Sequence, residues 1–172
     1  MKAFAASKAI INKFKGTKVA FRDLPLNHKL AIIWYMAVDG EAWAMPDEYL
    51  PSFSGWSWAK MKRIREFLKK NISHFDKEYG HLKFGIVNVP MPAFSDMVYK
   101  VASTSEDHNE NEKSFKDMNR RYLSESPCPI HTELGWPAIL NCSENDHLLI
   151  EDGWHRMNVY FKKKVKVMPL VY

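Results

Sequence analysis

Residues 150–172 read IEDGWHRMNVYFKKKVKVMPLVY, and the apolar period changes twice along them. A strand at 147–150 runs into a turn at Glu151-Asp152-Gly153, residues 154–163 have helical character, and 166–171 (KVMPLV) close the unit as a strand. Glycine at a strand-to-helix turn lets the backbone come close to a ligand. The first N–H groups of the helix that follows have no intrahelical partner and carry the positive end of its dipole. Such a turn is a seat for an anion. Gly153 and Trp154 supply the backbone of that seat. Arg156 can give a phosphate paired, charge-assisted hydrogen bonds, and His155 can donate to it or exchange a proton near neutral pH. Asp152 stands where a carboxylate could hold Mg²⁺ or orient an attacking hydroxyl. Asp152 and His155 are therefore the candidate catalytic residues, and Gly153, Trp154, His155 and Arg156 the candidate phosphate contacts.

Just upstream, residues 137–141 and 147–150 read as two strands of a hairpin around the turn 143–146. Residues 84–89 (FGIVNV) form a β-rich run stopped by Pro90, and 93–101 suit a short helix. Between these units, 102–113 has no aliphatic residue after Ala102 and carries four acids, so it reads as a mobile polar loop. Phe115, Met118, Tyr122 and Leu123 mark a further helix, ended by Pro127 and Pro129. The N-terminal third reads as helical. One helix lies within 26–44, with Asn27 as its cap and Asp39-Gly40 as its stop. A second, at 57–71, has an apolar stripe of Trp58, Met61, Ile64 and Leu68.

The fold class expected is α+β: a small mixed β-sheet with packed helices from residues 81–172, plus a helical N-terminal extension over 1–80. The chain of 172 residues has room for one good core, and its 46% hydrophobic and 13% aromatic content excludes wholesale disorder.

The ordered run of strand, hydrophobic turn, G-x-H-R-type sequence, helix and strand ending in Met168-Pro169-Leu170 resembles the ParB/sulfiredoxin-like superfamily. FGIVNVPM at 84–91 is similar to the family's first strand, and Trp136-Pro-Ala-Ile-Leu140 to its second. The resemblance covers about residues 82–172. It implies a nucleotide- or phosphate-binding site at Gly153–Arg156, a nucleoside triphosphate as ligand or substrate, Mg²⁺ at Asp152, and phosphoryl transfer or phosphodiester hydrolysis. Sulfiredoxins carry a nucleophilic Cys in G-C-H-R; Trp154 stands there, which removes thiol chemistry. Segregation-type ParB proteins carry G-E-R-R-x-R, which this chain lacks. The D-G-H-H-R form of free-serine-kinase-like and phage or plasmid ParB-like nuclease proteins is nearest, with Trp154 in place of its first His. The kinase branch also uses an early catalytic Glu. Asp96 is the nearest acid to that place.

A net charge of +5 and a pI near 9.1 favour anionic partners. The second helix presents Lys60, Lys62, Arg63, Arg65, Lys69 and Lys70, relieved by Glu66, and Lys162, Lys163, Lys164 and Lys166 follow the terminal helix. Both runs read first as solvated faces. The other reading is a nucleic-acid track with Trp56 or Trp58 to stack, in a non-catalytic DNA- or protein-binding accessory or counter-defence protein of a phage or plasmid. Cys128, His131, Cys142 and His147 lack the regular pairing of a zinc site. No stretch approaches the ~18 apolar residues of a membrane span, and Lys8 and Lys13 interrupt the only signal-like run, so a cytoplasmic protein, bacterial or in an infected host, is expected.

Overall fold

The computed structural model describes residues 5–7, 12–38, 57–102, 135–142 and 147–172. Six strands, β1 (Ala5–Ser7), β2 (Thr17–Ala20), β3 (Lys83–Pro90), β4 (Ala138–Cys142), β5 (His147–Asp152) and β6 (Val167–Val171), form one mixed sheet in the order β1-β5-β4-β6-β3-β2. All neighbours are antiparallel except β4 and β6. Four helices accompany it: α1 (Leu26–Val38), α2 (Trp58–Tyr79), α3 (Met91–Ala102) and α4 (Trp154–Lys162).

The α+β class expected from the sequence is the class observed. The 137–141/147–150 pair is an antiparallel hairpin, as expected, with an irregularity between Ile139 and Leu140. The first eighty residues, expected to be helical, also supply β1 and β2, which pair with β5 and β3. These two strands are three and four residues long, too short to show alternation. Asn27 does not cap α1; it lies inside the helix. The chain enters from Pro25, whose carbonyl accepts from the N–H groups of His28 (3.0 Å) and Lys29 (3.1 Å). Helix α2 runs two turns beyond residue 71. Phe75 is buried there against the Phe21 ring, 4.4 Å between centroids, and Ser57 caps the start through its hydroxyl, which accepts from the Lys60 N–H at 3.2 Å. The expected loop at 102–113, the helix at 115–123 and the turn at 143–146 lie outside the described residues, except for Ala102, which ends α3.

Strand alternation sends side chains to two cores, one on each face. Phe84 and Ile86 of β3, Ile139 and Val171 face α1 and α2, with Ile33, Trp34, Ile64, Leu68 and Trp136. Val87, Val89, Ala138, Leu140, Met168 and Leu170 face α3 and α4, with Phe94, Met157 and Tyr160. The sheet is therefore a middle layer, and α4 is carried on the face opposite α1 and α2. One close approach needs glycine: a Cβ on Gly85 would run into the Tyr172 ring, and the two residues exchange backbone hydrogen bonds.

Candidate functional site

Glu151 and Asp152 belong to β5, so the chain stays extended two residues longer than expected and turns at Gly153 alone. Gly153 is the N-cap of α4 and holds φ at 107°, in the left-handed region where only glycine rests without strain. Space adds a second reason. A Cβ at Gly153 would meet the Ala138 Cα at 2.9 Å and Arg156 Nη2 at 3.0 Å. The tight turn thus brings the end of β5 against β4 and starts α4 directly beneath Asp152.

Four residues separate Asp152 from Arg156, about one helical turn, and the structure brings the two together. Asp152 Oδ2 accepts from Arg156 Nη2 at 3.0 Å, while Oδ1 accepts from the Gly153 N–H at 2.7 Å. The carboxylate is thus held at the turn by the Gly153 N–H and the Arg156 guanidinium. Arg156 is 0% exposed, and the Asp152 side chain is 20% exposed. The guanidinium carbon lies 5.7 Å from the centre of the Trp136 ring, which gives the charge a polarisable wall. Next along α4, Tyr160 is buried and its hydroxyl donates to the Trp136 carbonyl at 2.8 Å. Burial pushes the Tyr160 pKa up. The Arg156 charge and the backbone hydrogen bonds at Gly135 and Trp136 pull against that shift.

One part of this arrangement is incomplete. Nε and Nη1 of Arg156 are buried and have no hydrogen-bond partner among the described residues. A guanidinium carries five N–H donors in a fixed fork, and one carboxylate oxygen uses only part of them. A buried, unsatisfied donor costs about 1–3 kcal/mol, more when the group is charged.

Of the residues singled out in the sequence, Asp152, Gly153 and Arg156 converge here. Trp154 and His155 open α4, and their side chains lie outside the described residues. Asp96 is exposed on α3. Lys162 and Lys163 are exposed at the end of α4, a helix length from Gly153. The Lys60–Lys70 cations sit on α2, on the other face of the sheet. Trp136 and Tyr160 were not expected at the site. Spacing gives no sign of Trp136, which reaches the site through the β4–α4 contact, whereas Tyr160 stands at i+4 from Arg156 on α4. Both Asp152 oxygens are engaged by positive or N–H groups. Among the described residues, no three His, Cys, Asp or Glu side chains gather at metal-binding distance. Mg²⁺ is commonly held by one or two carboxylates together with substrate phosphates, so Asp152 stays a candidate ligand only as the sequence motif has it.

Compared with models of protein families, with curated proteins and with solved structures, the chain finds no match. The resemblance to the ParB/sulfiredoxin-like superfamily rests on the motif residues themselves.

Proposed function

We propose that the chain binds a phosphate-bearing ligand, a nucleotide, at the β5–α4 junction, in the manner of a ParB/sulfiredoxin-like domain. The observation that carries this reading is the Arg156 guanidinium: fully buried, held by one carboxylate, with Nε and Nη1 unsatisfied among the described residues. An oxyanion is the partner whose geometry and charge complete such a fork. Asp152 is the more exposed member of the pair, so an anion arriving from solvent meets it first. Binding is then an exchange of oxyanions. The ligand phosphate takes hydrogen bonds from Arg156 and from the backbone N–H groups of the first turn of α4, and Asp152 moves outward.

A carboxylate displaced by one turn from a bound phosphate is placed to accept a proton from an attacking hydroxyl or water. Phosphoryl transfer or phosphodiester hydrolysis is the reaction class that follows. Its charge stabilisation comes from the helix N-terminus and the guanidinium.

Thermal unfolding with ATP, CTP and GTP tests the reading. A specific nucleotide at one hundred times its dissociation constant stabilises the protein by about 2.7 kcal/mol. Arg156→Lys, which keeps the charge and removes the fork, loses most of that stabilisation. No shift in wild type with any of the three contradicts the proposal.

A further inference from the structure

Helix α2 carries the chain's charge asymmetry. Between Trp58 and Lys70 it holds six cations against Glu66 alone, a net +5 equal to the net charge of all 172 residues, so the rest of the chain is balanced. Buried Ile64, Leu68 and Phe75 turn one side of the helix to the core, and Lys62, Arg63, Lys69 and Lys70 are exposed on the other. Helix stability does not account for the pattern. The first turn has no acid and contains Lys60, the reverse of what the helix dipole favours. Glu66 stands 4.0 Å from Lys62, at the outer limit of an ion pair, with both side chains more than half exposed.

Trp58, expected to belong to the apolar stripe of this helix, lies instead at the start of the same face, 73% exposed, outside the buried set of Ile64, Leu68 and Phe75. Large aromatic rings are seldom left in water, and this one is not stranded by the core: it precedes the buried stripe by two turns. Its helical position places it in line with Lys62 and Lys69, at i+4 and i+11. Lys62 Nζ already lies over the ring, 5.7 Å from its centre. A ring and a cation together, with cations continuing along about 12 Å of helix from Lys62 to Lys70, match the two needs of an unpaired polynucleotide: a platform for a base and a track for its phosphates. A duplex hides its base faces and gives the tryptophan nothing to stack on. An acidic protein surface would use the charges but not the ring.

We infer that the exposed face of α2 binds single-stranded nucleic acid, without sequence preference, with one base stacked on Trp58 and the backbone along Lys62, Lys69 and Lys70. This surface is separate from the β5–α4 junction and does not depend on the nucleotide reading.

Fluorescence anisotropy of a labelled oligothymidylate with the full chain, across a salt series, tests it. Wild type binds, and log K falls linearly with log salt. The triple variant Lys62→Gln/Lys69→Gln/Lys70→Gln lowers the magnitude of that slope by about 2, since each phosphate contact to a single strand contributes about 0.7. Trp58→Ala weakens binding about tenfold with little change in slope. All four residues are exposed or lie at the helix start, and circular dichroism checks that the variants remain folded. Excess ATP leaves the complex intact. Four results overturn the inference: no binding at low salt, a slope unchanged in the triple variant, full competition by ATP, or a duplex bound more tightly than the single strand with Trp58→Ala silent.

Discussion

Arg156 and the cations of α2 carry the same charge and obey different physics. Arg156 is a single guanidinium with no exposure, walled by Trp136 and tied to one carboxylate. Lys62, Arg63, Lys69 and Lys70 are exposed, so water and salt screen them. In the buried case a single missing partner is expensive, and geometry decides what can bind. On the helix face no single cation matters much, and binding strength comes from their number. One region suits a small ligand recognised by shape; the other suits a polymer recognised by charge density.

The largest effect expected separates the two members of the buried pair. Asp152→Asn leaves the Arg156 charge with no counter-ion at zero exposure, and costs about 3 kcal/mol in chemical denaturation. Arg156→Met costs less, about 1–2 kcal/mol, because Asp152 keeps its Gly153 N–H and its access to water. The reverse order would mean that Asp152 is the group trapped by burial. Added nucleotide should recover more stability in Asp152→Asn than in wild type, since the competing carboxylate has gone.

Gly153→Ala comes next. A left-handed backbone and a Cβ 2.9 Å from the Ala138 Cα together cost about 2 kcal/mol or more. The same measurement on Ser57→Ala at the start of α2 should give only about 1 kcal/mol, the worth of an exposed cap.

The junction was the most legible part of the sequence, and the reason is local. Strand, glycine and helix succeed one another without a gap, and each period is long enough to read. The Asp152–Arg156 pair was also within reach, because i and i+4 face each other at a helix start. The depth of Arg156 was not legible: it depends on Trp136 and Ala138, which β4 brings in through the sheet. For the same reason β1 and β2 were hidden. Ala5–Ser7 and Thr17–Ala20 are made strands by their partners β5 and β3, not by their own composition. The last two turns of α2 were missed because Phe75 continues the stripe only once Phe21 is there to meet it.

Two titrations extend the contrast between buried and exposed groups. Burial raises the Tyr160 pKa, so the neutral phenol favours the fold; that stability is present below pH 10 and is lost as pH climbs through the raised value. Tyr160→Phe removes this alkaline loss and costs about 1 kcal/mol at neutral pH through the lost hydrogen bond to Trp136. Burial lowers the His28 pKa, so its contribution is complete above pH 6.5 and disappears as pH falls through the lowered value. His28→Gln should flatten the acid limb of the stability–pH curve. The smallest effect belongs to α2: Lys69→Gln changes stability by less than about 0.5 kcal/mol, as a solvated cation should.

The Arg156 Nε–H resonance in a ¹⁵N-labelled sample, identified by its loss in Arg156→Lys, reports directly on the unsatisfied guanidinium. On titration with ATP, CTP or GTP, this signal should move to a saturable endpoint with at least one nucleotide, and move further in Asp152→Asn. A signal that stays fixed with all three nucleotides in both proteins would contradict the assignment of Arg156 as the phosphate receptor.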